Sequence, residues 1–218
     1  MKTSAAALAA LLLALPAAAQ QPVAPDTAGV WGFAYEDLQE GQSASALAQR
    51  DVVSCLAEPA LIAPAAEGYV LNAYRVDVFG LMRGNVRYFV TYENLCSYDA
   101  ATGLESCRRI SVPPDENVYW TWYQPLDAAA GVFRAYAFAD EAEVEAFRKS
   151  GTPPETATRF VTFPCPADQQ PRPALLEQAT RDDAASQASY DNMLGNFRRC
   201  GYPLCGDDVT KLRQLVTD

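Results

Sequence analysis

The chain contains no histidine among its 218 residues. A Ser-His-Asp triad, a Cys-His pair and a His-ligated catalytic zinc are therefore excluded unless a second chain supplies the imidazole. Lysine is nearly as scarce: Lys2, Lys149 and Lys211 stand against fourteen arginines. Neither Lys149 nor Lys211 has a serine three residues before it, which removes the Ser-x-x-Lys arrangement of penicillin-recognising enzymes. Gly-x-Ser-x-Gly, a Walker A loop, Gly-x-Gly-x-x-Gly and Cys-x-x-Cys are missing as well, so neither nucleotide, flavin nor dithiol redox chemistry has a motif to rest on. No cofactor and no metal site is expected.

Long apolar runs are wanting everywhere except at the start. Met1-Lys2-Thr3-Ser4 carries one positive charge, Ala5 to Leu15 is made only of Ala and Leu, and Pro16 is followed by three alanines. This order of a basic, an apolar and a small-residue segment reads as a secretory signal peptide over 1–19, cleaved after Ala19. The apolar run is shorter than the roughly 18 to 20 residues that span a bilayer, so no membrane insertion is expected after cleavage. The mature chain is expected in the periplasm or outside the cell. Without residues 1–19 it holds sixteen basic and twenty-seven acidic residues, a formal charge of −11. A chain so acidic is repelled by phosphate backbones, and nucleic acid is excluded as a partner class.

Against these absences stand six cysteines, all beyond the signal segment: Cys55, Cys96, Cys107, Cys165, Cys200 and Cys205. An even number in an oxidising compartment predicts three disulfides. If Ala100 to Gly103 form a four-residue hairpin loop, Asp99 faces Leu104 and the same register sets Cys96 opposite Cys107. Cys200 and Cys205 are close enough to bridge each other, leaving Cys55 for Cys165. The rival arrangement ties both late cysteines back to Cys55 and Cys165.

Residues 20–28 read as a flexible lead-in to a single domain over 29–218. Alternating β-branched and aromatic residues predict strands at Val30–Tyr35, Tyr69–Phe79, Val86–Cys96, Glu105–Val112, Val118–Tyr123, Val132–Phe138 and Arg159–Phe163. Glu36 to Arg50 reads as loop. Asp140 as N-cap, Glu143 three residues on, acids in the first turn, Arg148 and Lys149 in the last and Gly151 beyond predict a helix near 141–150. Ala174–Arg199 and Asp208–Val216 read as C-terminal helices, with Gly195 a point where the first of them could break. The fold class is thus α+β: an antiparallel β-meander or partly closed β-barrel of six to eight strands, disulfide-stapled, with its strands mainly within 30–165 and a helical segment over 174–217.

Gly29-Val30-Trp31, opening the first strand, resembles the Gly-x-Trp of lipocalins, whose Trp packs across the closed end of an eight-stranded barrel. The likeness covers three residues, and the cysteine-containing stretch between Tyr35 and Tyr69 departs from that family's immediate hairpins. It implies no ligand and no site residue here.

Two groups of residues could carry function. In Val118–Tyr123, Trp120 and Trp122 share one strand face and Tyr119 and Tyr123 the other; whichever pair lies outward offers a two-ring platform for a sugar, a peptide or an apolar ligand. Tyr88, Val90 and Tyr92 alternate on the face of Cys96 and read as packing. Asp77 and Glu93 sit in expected strands as candidate acids for glycan hydrolysis, with wet-face pairing to Arg75 and Arg108 as the simpler account. The reading that fits the missing histidine is a periplasmic, non-enzymatic binding or interaction protein whose partner is a protein or glycan of the cell envelope. Alternatives are a carboxylate-based glycan hydrolase and an inhibitor or accessory subunit of another envelope protein.

Overall fold

The computed structural model describes residues 23–36, 41–43, 46–48, 51–111, 114 and 117–217; the expected signal segment lies outside them. Eight antiparallel strands form a closed barrel in simple meander order: β1 (Gly29–Tyr35), β2 (Ala60–Pro64), β3 (Tyr69–Val76), β4 (Tyr88–Asp99), β5 (Leu104–Arg109), β6 (Val118–Asp127), β7 (Val132–Ala137) and β8 (Thr158–Pro164), with β8 returning to β1. Closure gives every strand two neighbours and leaves no unpaired edge. Trp31, near the start of β1, is buried against the barrel interior.

Most expected strands appear within one to three residues of their expected ends. β2 is the exception, lying between Arg50 and Tyr69, where no strand was expected. It has five residues, ends on Pro64 and pairs with β1 only through Gly29–Ile62, Val30–Leu61 and Trp31–Ala60. The strand expected to run to Phe79 stops at Val76, because Asp77 starts a helix, α2 (Val78–Met82), following α1 (Val52–Ala57). The Asp77 carboxylate accepts from the backbone N–H groups of Phe79 (3.1 Å) and Gly80 (3.0 Å) and from Arg87 Nε (2.7 Å), and these bonds hold it below the usual carboxylate range against the opposing effect of burial. The pairings expected from strand neighbours are corrected by long-range ones. Arg75 bonds Glu58, Asp77 bonds Arg87, and Glu93 bonds Arg181 from the C-terminal segment.

The helix expected near 141–150 forms as α3 (Glu141–Ser150). Asp140 accepts from the Glu143 N–H at 3.0 Å, Glu143 reaches back to the Ala139 N–H, and Gly151 closes the helix at φ 68°. The single C-terminal helix expected over 174–199 is two, α4 (Pro173–Glu177) and α5 (Asp183–Cys200), with α6 (Asp207–Thr217) after them. The break comes between them and not at Gly195: Thr180 exchanges backbone hydrogen bonds with Tyr88 and Val90 of β4, and the Asp182 carboxylate then caps α5 on the Ala185 N–H. The chain leaves helix there to add a short rung to the barrel wall.

The three disulfides are Cys55–Cys165, Cys96–Cys107 and Cys200–Cys205. Cys96 lies opposite Cys107, and Asp99 opposite Leu104, in the register that the four-residue loop predicts. The first bridge pins α1 to the chain leaving β8, with Gly32 beneath it; a Cβ there would lie 2.8 Å from the Cys55 sulfur, so this close approach needs glycine.

Among the described residues, apolar side chains gather in four clusters, of which two are the larger. Outside the barrel, Leu56, Tyr74, Val76, Leu81 and Tyr88 pack under Met193, Leu204 and Leu212 of the C-terminal arm. Inside, Trp31, Ile62, Tyr69, Phe133 and the Cys96–Cys107 bridge fill one end. A strand covered on its outer face by helices is apolar on both faces, and its alternation no longer tells inside from outside.

Candidate ligand-binding cavity

The two barrel ends differ. At the end where β1 begins, residues 23–28 lie against the barrel: the Val23 N–H donates to Ala128 O at 3.1 Å, Trp31 Nε1 donates to Thr27 O at 2.9 Å, and Pro25 joins the interior wall. The Trp31 ring faces Phe133, with centroids 6.3 Å apart. Beyond this end, the side chains of the described residues leave part of the interior open. A cavity of about 290 Å³ runs from Trp31 toward the opposite end, walled by Phe33, Leu71, Tyr92, Tyr119 and Phe160. Thr121 and Thr162 add hydroxyls to the wall.

The strand pleat decides which aromatic residues take part. Along β6, Tyr119, Thr121 and Tyr123 turn inward and line the cavity, while Trp120 and Trp122 turn outward. The outward pair is covered: α3 lays Phe147 against Trp122 (4.9 Å between centroids), and the Arg148 guanidinium sits 5.1 Å over Trp120. The structure therefore separates the four residues into two inside and two beneath a helix. A comparable correction applies to β4. The register slips between Ala73 and Tyr74, so that Thr91 has no opposite residue. This bulge puts Tyr88 and Val90 in the outer core while Tyr92 stays inside with Asn94 and Cys96.

Three polar residues inside the barrel were not singled out from the sequence. Glu105, on β5, is 4% exposed and has no cationic partner among the described residues; its carboxylate accepts hydrogen bonds from the Tyr69 and Tyr123 hydroxyls, the latter at 3.1 Å. Burial pushes its carboxyl up to about 7, and the two tyrosine hydrogen bonds only partly oppose this. The same contact and their own burial push both tyrosine hydroxyls above their usual range. Arg109, four residues further along the same face, lies opposite Asn94 on β4. Arg109 and Asn94 both line this region, and Arg109 Nε and Asn94 Oδ1 are buried without a hydrogen-bond partner among the described residues. The Cys96–Cys107 bridge was a usable signal for all three, since alternation puts Glu105 and Arg109 on the Cys107 side and Asn94 on the Cys96 side.

Cys96, Glu105 and Cys107 converge closely enough to suggest metal ligands, yet both sulfurs belong to one disulfide and offer no thiolate. Among the described residues lining the cavity Glu105 is the one carboxylate.

Glu105 makes a pH-dependent contribution to stability whose sign follows from its raised carboxyl. A carboxyl that ionises near 7 in the folded chain and near its ordinary 4.5 in the unfolded chain binds the proton more tightly when folded. Its contribution is complete below the ordinary value and is lost as pH rises toward 7. At about 1.4 kcal/mol per pH unit of that gap, the loss is on the order of 3 kcal/mol. Glu105→Gln keeps an acceptor for a tyrosine and has nothing to ionise. Urea unfolding of both proteins from pH 4 to pH 8 should show the wild type losing about 3 kcal/mol relative to the variant. A difference constant with pH would contradict the assignment.

Comparison with protein-family models, with curated proteins and with solved structures finds no match to this chain.

Proposed function

We propose that this chain is an exported, non-enzymatic binding protein that holds a small, largely apolar or aromatic ligand inside its barrel. The observation that carries this reading is the unfilled interior: one barrel end is packed with Trp31 and Phe133, and the rest is a cavity of about 290 Å³ walled by aromatic rings. Native interiors are normally close-packed, and a void of this size among convergent polar groups falls at the lower end of the roughly 300–1,000 Å³ of small-molecule sites. Three disulfides fit an oxidising compartment. The residues 1–19 supply the export signal in this reading, and the ligand or partner is met in the cell envelope.

The hydrolase alternative needs an acid and a base facing one bond from about 5 to 10 Å apart. Among the described residues lining the barrel cavity Glu105 is the one acid, and Asp77 and Glu93 are engaged by Arg87 and Arg181. Asp168 and Glu177 do share an outer groove with Tyr74, but both are exposed to solvent. No observation favours this reading over binding.

Calorimetric titration with 2-acetylnaphthalene, a neutral probe of about a dozen heavy atoms, tests the proposal. At about 0.5 kcal/mol per heavy atom, binding is expected with Kd below roughly 100 μM. Ala137, half-buried on the cavity wall in the ladder row of Thr121 and Glu105, can be enlarged to obstruct the cavity. Ala137→Trp should weaken binding at least ten-fold while its melting temperature stays near that of the wild type. Absence of binding, or binding indifferent to Ala137→Trp, would remove the reading.

A further inference from the structure

We infer that the ligand is a small aromatic monocarboxylate, seated with its carboxylate on Arg109 and Asn94 and its ring among Phe33, Tyr92, Tyr119 and Phe160. This rests on the barrel interior being the ligand site, and it adds the ligand's charge and orientation.

Arg109 lines the cavity, its Nε is buried without a hydrogen-bond partner, and no carboxylate pairs with it among the described residues. Glu105 does not fill that role. Four residues of strand place the two Cα atoms about 13 Å apart, and Glu105 is already held by Tyr69 and Tyr123. A buried guanidinium N–H left unsatisfied is costly, and an anion entering the cavity would satisfy it. The orphan Asn94 Oδ1 lies on the residue directly opposite in the β4–β5 ladder. A half-turn of its carboxamide presents Nδ2–H in place of the oxygen, so two donors can face the same oxyanion. Paired donors match the two oxygens of a planar carboxylate.

Charge and volume narrow the class further. Arg109 is the one cationic residue among the described residues lining the cavity, which suits a single negative charge better than a phosphate dianion. A space of about 290 Å³ is equivalent to about ten waters at roughly 30 Å³ each, enough for a bicyclic ring with one carboxylate. Phe33, Tyr92, Tyr119 and Phe160 surround that volume with ring faces and edges, the setting in which aromatic ligands gain most. The chain as a whole carries a net charge of −10, so general electrostatic attraction works against an anion. Preference for an anion has to come from Arg109 itself.

The experiment compares 2-naphthoate with its neutral isostere 2-acetylnaphthalene by calorimetry at pH 7.5 on the mature full-length protein. The expected result is at least a ten-fold tighter Kd for 2-naphthoate, a ratio that falls to near one in Arg109→Gln. Asn94→Asp is the second variant: a carboxylate beside Arg109 should compete with the ligand and reverse the preference. Near-UV circular dichroism of each variant establishes that it folds, and either one alone decides the question. Equal affinities in the wild type, or a preference for 2-naphthoate that survives both substitutions, would overturn the carboxylate assignment and leave the cavity reading intact. Tighter binding of 2-naphthamide than of 2-naphthoate would overturn it in favour of a neutral amide matched to the existing Arg109 donor and Asn94 acceptor. If none of the three probes binds, the cavity reading itself fails and the inference with it.

Discussion

Replacing both cysteines of the longest bridge, Cys55→Ala with Cys165→Ala, should lower the unfolding free energy by about 5 kcal/mol, the largest loss among the three disulfides. The two residues are 110 apart in sequence, and the segment between them includes seven of the eight strands, β2 to β8. Chain-entropy loss from cross-linking the unfolded state grows with the logarithm of the loop. The same relation gives about 3 kcal/mol for Cys96–Cys107 and about 2 kcal/mol for Cys200–Cys205, whose separations are 11 and 5. At about 2–4 °C per kcal/mol for a chain of this size, the Cys55/Cys165 variant should melt some 10–20 °C lower. The bridge also holds α1 against β1 and β8, where Cys55, Ala34, Val161 and Phe163 form a small core of their own. Urea unfolding of the three double variants checks the ranking. A loss for Cys200/Cys205 equal to that for Cys55/Cys165 would show that loop length is not what sets these contributions.

Of the three bridges, Cys96–Cys107 was legible in the sequence because short-range geometry constrains it. Cys55, Cys165, Cys200 and Cys205 left two pairings open, since Cys55 and Cys165 lie 110 residues apart. Cys96 and Cys107 are joined by a hairpin whose register follows from Asp99 and Gly103. Helix α3 was legible for the same reason, since its cap, its staggered acids and its closing glycine all lie within twelve residues. What escaped were contacts made at a distance. Glu105 on a strand reads as a solvent-facing charge until Tyr69, 36 positions away, and Tyr123, 18 away, are seen to hold it inside. The strand β2 escaped because it is only five residues long and three of them pair with β1, about thirty positions earlier, a pairing that no local pattern announces.

The tryptophan and tyrosine pairs of β6 show a different limit. Alternation correctly splits Trp120 and Trp122 from Tyr119 and Tyr123, but it carries no label for the barrel interior. That label comes from α3, whose Val144 and Phe147 need an apolar surface and take the tryptophan face. The tyrosines are then left to the cavity. The β4 bulge is harder still, because one extra residue inverts the faces of everything before it. Tyr88 and Tyr92 obey the same alternation in sequence and end on opposite sides of the wall.

Beside the cavity, Arg75→Met should cost about 4 kcal/mol, because it strands a buried carboxylate. Arg75 Nε donates to Glu58 Oε1 at 2.8 Å, and the two side chains are 16% and 7% exposed. Burial raises the Glu58 carboxyl above its ordinary 4.5 even with the guanidinium in place. Without Arg75 nothing opposes that burial, so the carboxyl takes up a proton and the penalty grows with pH. The loss should be smaller at pH 5 than at pH 8. Arg75 also fastens α5 to the barrel, donating from Nη1 to Ser186 O and Oγ while its guanidinium stacks 4.5 Å from the Tyr190 ring. Hydrogen exchange of α5 amides should therefore accelerate in the variant ahead of those in β5 to β8. Glu58→Leu combined with Arg75→Met separates the two contributions: removing both charges abolishes the pH-dependent part and leaves the loosened α5. A single-variant loss that is the same at pH 5 and pH 8 would assign Arg75 the fastening role alone and remove the stranded carboxylate from the account.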